Sequence, residues 1–203
     1  MKHLILATAL AAATLAAPVA ALTTLGFDDL DGTLYPDVGN YAGLRFDVFL
    51  VHDYSTAAPS GYRNGIVSPG NTIFNGGGVP ASISRKQGFR LSSAWLTSAW
   101  NDGQTLDVTG SLKGMQLFTQ SFALSPVTPL FALFDTSTID KVVFSAHGGT
   151  RHGFGGGPSD HFVIDDLSLN FAAVPEPASW TLMIAGFGMV GASVRRRKAA
   201  LAA

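Results

Sequence analysis

The chain has 203 residues, a formal net charge of −1 and no cysteine. Without cysteine it has no disulfide framework and its fold rests on core packing, and the near-neutral balance leaves no basic face for nucleic acid. The positive mean hydropathy, +0.28, is inflated by two apolar end segments that stand outside the fold.

In chain order, Met1-Lys2-His3 is a short basic head, 4–17 is an uncharged run rich in Ala and Leu, and Val19-Ala20-Ala21 supplies small residues for signal peptidase. This is the pattern of an export signal occupying 1–21, with cleavage expected after Ala21. The expected ectodomain is 22–173, long enough to bury one core. Its acids are 13 Asp, since the chain's one Glu is Glu176, set against Arg45, Arg63, Arg85, Lys86, Arg90, Lys113, Lys141 and Arg151. The domain therefore carries a net charge of −5. Asp favours turns where Glu favours helices, and with abundant Gly this skew predicts an all-β domain.

Short β-branched, aromatic or alternating runs between Gly, Pro, Asn and Asp predict strands over 23–27, 44–51, 89–96, 106–112, 115–124, 130–134, 141–145 and 162–171. Lys113-Gly114 reads as a hairpin turn between two of them. No stretch keeps a helical period over three turns and no internal repeat is present. So many short strands in one domain predict a single antiparallel β-sandwich of jelly-roll type.

The closing run 162–171 repays counting by twos. Val163, Asp165, Leu167, Leu169 and Phe171 share one face, and Phe162, Ile164, Asp166, Ser168 and Asn170 the other. Asp165 then lies on an apolar face, where an unpaired carboxylate costs several kcal/mol, so it needs a cation, donors or a bulge that turns it away. Phe27-Asp28-Asp29-Leu30, the Gly-rich loop 148–158 and this closing run together resemble the lectin-like and carbohydrate-binding-module sandwiches of exported bacterial proteins. The resemblance implies a structural calcium held by Asp28 or Asp29 with Asp165 or Asp166, a hard cation that oxygen ligands suit. The other reading is a bulge with both Asp accepting backbone hydrogen bonds.

The last thirty residues are the most specific. The uncharged run 178–194, as a helix rising about 1.5 Å per residue, reaches about 25 Å, just short of a hydrocarbon core about 30 Å thick. Trp180 at one end and Arg195-Arg196-Arg197-Lys198 at the other supply the difference and fix the C-terminus inside. Pro175-Glu176-Pro177, Trp180 and Arg195, Arg196 and Arg197, in that order, closely resemble the PEP-CTERM sorting segment, here 174–198 with a tail of 199–203. That resemblance implies recognition of the Pro-Glu-Pro element by the membrane protease exosortase and release to the surface or extracellular matrix. The plainer alternative is an ordinary C-terminal anchor on a Pro-rich stalk.

Other motifs carry less. Gly186-Phe187-Gly188-Met189-Val190-Gly191 spells a dinucleotide fingerprint but follows no strand, so helix packing explains it better. His147, His152, Asp160 and His161 lack any fixed zinc spacing and read as loop residues. No G-x-S-x-G elbow occurs, and an ectodomain without Glu lacks the usual glycosidase proton donor. Trp95 and Trp100, with Tyr41, Tyr54 and Tyr62, are candidates for stacking on sugar rings. Trp95 continues the face of Phe89 and Leu91 and is expected inside, whereas Trp100 ends a strand and is the better ligand-binding candidate.

The expectation is an exported, non-catalytic binding or structural protein of the cell surface, the exopolysaccharide matrix or a biofilm. Its processing partners would be signal peptidase and an exosortase. A secreted polysaccharide-active enzyme and a surface protein with a protein partner are the alternatives.

Overall fold

The computed structural model describes residues 22–53, 58–155, 159–171, 184–189 and 191. All the strands fall in the unit Ala20–Ala172. They are β1 (Leu22–Leu25), β2 (Asn40–Tyr41), β3 (Leu44–Asp47), β4 (Phe49–Asp53), β5 (Asn71–Asn75), β6 (Ala81–Ser98), β7 (Asn101–Asp102), β8 (Gln104–Leu112), β9 (Met115–Leu124), β10 (Leu130–Leu133), β11 (Ile139–His147), β12 (Thr150–Arg151) and β13 (Phe162–Phe171), with a helical turn, α1 (Gly61–Asn64), and a 3-10 turn at Gly76–Gly78.

The pairing is antiparallel throughout and turns on β6. Its first half lies between β3 and β11, and the ladder runs on through β8 to β9; its second half lies between β13 and β10, with β5, β4 and β1 beyond β13. Side chains from both ladders meet in one apolar core. Phe49 of β4, Phe144 of β11 and Phe162 of β13 close a triangle of ring contacts at 5.9, 6.0 and 6.1 Å. The fold is sandwich-like, and mostly β as the composition predicts.

Local chemistry explains the turns and breaks. Lys113 and Gly114 both have positive φ, 51° and 80°, joining Leu112 directly to Met115. That is the tight hairpin the sequence predicts. The run expected over 44–51 is broken at Val48, whose φ is 67°, so β3 and β4 pair with different neighbours. β5, the first half of β6 and α1 were not readable as elements: Asn-Thr-Ile-Phe-Asn and Ser-Arg-Lys-Gln-Gly carry loop-like composition.

Two expectations about faces are corrected. β13 does not keep one alternation, because Phe162 and Ile164 enter the core and then Leu167 and Leu169 do. Between them Asp166, φ 47°, occupies a bulge. β6 changes phase at the same level, from Leu91 to Ala94 and Leu96, and the two insertions cancel so that pairing resumes in register. One inserted residue moves every later side chain to the opposite face. Asp165 and its partner Trp95 therefore both point away from the core. Trp95 is only half-buried, with its ring 5.1 Å from Phe131, itself 51% exposed.

Residues 184–189 and 191 are helical. Among the described residues no helix is long and apolar enough to cross a membrane. The expected signal peptide lies outside the described residues, as does most of the expected span 178–194.

Candidate functional site

At one end of the sandwich six rings surround a pocket of about 330 Å³. His52 comes from β4, Tyr62 from α1, Phe74 from β5, Trp100 from the turn after β6, His161 from the lead into β13, and Tyr35 from an early loop. The turn α1 is held by one hydrogen bond to the residue that follows β6, Gly61 N–H donating to the Ala99 carbonyl at 2.9 Å, and by Asn64 Nδ2 donating to the Pro126 carbonyl. Gly61 is required there: a Cβ would fall onto the Ser98 carbonyl oxygen and 2.9 Å from Ala99 Cα. Leu34 and Tyr35 are both in the left-handed region, φ 63° and 54°, a strained pair of a kind that concentrates at functional sites.

The rings are ordered by their contacts. His52 stacks on Tyr62 at 5.0 Å and 8°, and Trp100 meets Tyr62 edge-on at 5.4 Å. The Tyr62 hydroxyl and His161 Nδ1 share a hydrogen bond. Burial pushes the Tyr62 phenol far up and holds both imidazoles below their ordinary value of 6.5, with Asp53 and Asp160 pulling weakly the other way. The site is therefore neutral at pH 7. His52 is 5% exposed, and its Nδ1 makes no hydrogen bond of proper geometry. Unpaired buried polar atoms are uncommon and call for a reason beyond packing. Trp100 is partly exposed, and the ribbon of β7 and β12 secures its backbone, His152 N–H donating to the Trp100 carbonyl at 2.9 Å.

Of the aromatic candidates, Trp100 and Tyr62 are thus brought together, Trp95 lies with Phe131 elsewhere, and Tyr41 packs against the core while its hydroxyl donates to Asp29 at 2.6 Å. Burial and that carboxylate push the Tyr41 phenol up to about 12. Tyr54 lies outside the described residues. Tyr35, His52 and Phe74 escaped the sequence reading because they are far apart in the chain: the pairing of β4 with β5 brings His52 and Phe74 together, and Tyr35 reaches them from its loop.

The four acids proposed for calcium separate into two kinds. Asp165 is fully buried, yet Val67 N–H, Ser68 N–H, Ser68 Oγ and Asp166 N–H all donate to it, at 2.7 to 3.0 Å. Burial raises its pKa and those donors oppose the rise. The donors remove the need for an ion that an unpaired carboxylate would have. Asp29 is engaged by Tyr41. Asp28 Oδ2 and Asp166 Oδ1 lie 3.1 and 3.6 Å from the point where a Cβ on Gly26 would sit, with Ser68 Oγ, which donates to Asp165, 3.5 Å from it. Carboxylate oxygens are of the hard type that calcium takes, and Asp28 Oδ1 already accepts from Asn71 N–H at 2.9 Å. Among the described residues no group of three or more His, Asp or Glu is arranged for a metal. The histidines weighed for zinc are dispersed: His147 pairs with Asp107 at 3.1 Å, His152 with Asp102 at 2.8 Å, and His161 with Tyr62.

Residues 173–198 match the PEP-CTERM protein-sorting motif. The chain carries that motif. The resemblance read from Pro175-Glu176-Pro177 onward is therefore borne out, and the motif implies export, a membrane-associated intermediate and processing by exosortase. Among solved structures, a DUF4465 family protein of Bacteroides caccae is 12% identical over 75% of this chain and 100% of that one, with a TM-score of 0.54. A DUF4465 family protein of Bacteroides ovatus is 10% identical over 74% and 94%, TM-score 0.45. TmCBM61, in complex with β-1,4-galactotriose, is 10% identical over 72% and 94%, TM-score 0.38. At such identities the likeness to the first is one of fold. No curated protein matches the chain.

Proposed function

We propose that this is a non-catalytic glycan-binding protein, exported and delivered to the cell surface or its polysaccharide matrix through the PEP-CTERM segment after a membrane-anchored stage, and that the six-ring pocket is its binding site. The observation that carries this reading is the pocket itself: a concave, uncharged site where the partly exposed Trp100 stands beside Tyr62, Tyr35 and two neutral imidazoles. Aromatic faces pack on the apolar faces of pyranose rings, while phenols and imidazoles supply donors and acceptors for hydroxyls. Among the described residues no carboxylate lines the pocket, and Asp53 and Asp160 act on its imidazoles without lining it, which supports binding over hydrolysis, for which two supported carboxyls must flank the bond.

The test is a neutral-glycan array probed with full-length protein, its Trp100→Ala variant and its Trp95→Ala variant. Retention by wild type and Trp95→Ala with loss in Trp100→Ala is expected. Turnover of a retained glycan would replace the reading with an enzyme, and retention undiminished in Trp100→Ala would move the site elsewhere.

A further inference from the structure

A second concavity, distinct from the ring pocket, is made by an irregularity in β6. Between the pairs Lys141↔Ser84 and Ile139↔Phe89, β6 carries Arg85, Lys86, Gln87 and Gly88 opposite Asp140 alone. So large a bulge throws the side chains out of the ladder and re-aims them. They line a cleft of about 620 Å³ with Arg45 and Lys141. Four of the domain's eight cations thus gather in one place on a domain of net charge −5. Like charges in a cluster repel, so such a gathering is costly unless anions neutralise it.

The protein supplies part of that neutralisation. Arg45 pairs with Asp47 at 2.8 Å. Arg85 is oriented, donating to the Gly88 carbonyl at 2.7 Å with its guanidinium 4.6 Å over the Phe171 ring. Lys86 and Lys141, both exposed, form no salt bridge among the described residues. Lys141 also acts on Asp47, from beyond salt-bridge distance, so the direct contacts of the two ammonium groups remain for an external anion, beside a guanidinium already held in place.

We infer that this cleft binds an acidic saccharide, a chain of uronate-type sugars. Asn40, Ser84 and Gln87 share the lining with the cations and offer hydrogen bonds to hydroxyls, and Asp140 is a further acceptor. A dense polyanion would meet the carboxylates of Asp47 and Asp140. A lipid surface would need exposed apolar side chains, and the one large apolar residue of the lining, Leu44, is buried. A sugar acid, with one carboxylate per ring among several hydroxyls, matches this mixture of groups.

The test uses full-length protein with oligogalacturonate and oligomannuronate, and with the methyl ester of the former, which keeps the hydroxyls and removes the charge. At least one acidic oligosaccharide should bind, at least tenfold more tightly than the ester, and binding should weaken as salt rises. The double variant Lys86→Glu, Lys141→Glu, at exposed positions and checked for an unchanged melting curve, should lose at least tenfold. Trp100→Ala should leave this binding intact, so failure here and failure of the ring-pocket reading are separate results. The proposal is overturned if neither acid binds, if the ester binds equally, if the double variant is unaffected, or if inorganic phosphate or phosphatidylglycerol vesicles bind as tightly as the sugar.

Discussion

Asp165 and Trp95 face each other across one strand pair, and both were legible in the sequence as residues but not as positions. A carboxylate with no exposed surface and four donors, three of them peptide or hydroxyl groups of the 67–68 segment, fastens that segment over the outer face of β13. Asp165→Asn would turn an NH₂ toward N–H donors and leave at least one of them unpaired. The expected loss is about 1–3 kcal/mol in denaturant unfolding; an unchanged midpoint would show that these bonds add nothing. Trp95→Ala should cost less than about 2 kcal/mol, since the ring lies outside the apolar core and is partly exposed, against about 3–5 kcal/mol for a buried one. A loss in the higher range would put the ring in the core after all.

Strands with strict alternation, such as β8 with Leu106 and Val108 inward, could be read directly, as could the Lys113-Gly114 turn. The paired bulges could not, because an inserted residue has no composition of its own: Ser92 and Asp166 look like ordinary outward polar positions. The ring pocket was half visible for a related reason. Trp100 and Tyr62 stood out, whereas Tyr35, His52 and Phe74 join them only through folding. The bulge in β13 also decides which acids are free. It turns Asp166 toward Asp28 while Asp165 is consumed by the 67–68 segment. Calcium between Asp28 and Asp166 would bind only the folded chain and add about 2.7 kcal/mol at a hundred times its dissociation constant. The melting temperature should then rise in millimolar calcium, and Asp166→Asn should abolish the rise. Identical melts of the wild type in chelator and in calcium would remove the ion.

For the whole molecule, pH and sorting give the clearest readouts. His52 and His161 have pKa values depressed by burial, so the unfolded chain takes up protons near 6.5 that the folded one refuses. Their contribution to stability is complete above about pH 6.5 and is lost as pH falls through the lower folded values. The difference in stability between wild type and a His52→Gln, His161→Gln variant should shrink from pH 8 to pH 5; a constant difference would mean the imidazoles do not titrate with unfolding. In the C-terminal segment, replacing Pro175-Glu176-Pro177 by alanines should leave the protein unprocessed and membrane-retained. Mass spectrometry of the released fraction checks this, and normal trimming of the variant would rule the element out as the recognition site.

One strand serves as the common wall of both ladders. With β6 removed, β3 and β10 lose their long partner, and β11 and β13 each lose a neighbour, so neither half of the sandwich has a complete structure without the other. The domain therefore has no natural line along which to come apart. It should melt in a single transition, with the β6 amides exchanging only through global opening. For an exported chain without a single disulfide, such cooperativity is its protection against partial unfolding: a protease finds no half-open intermediate to cut.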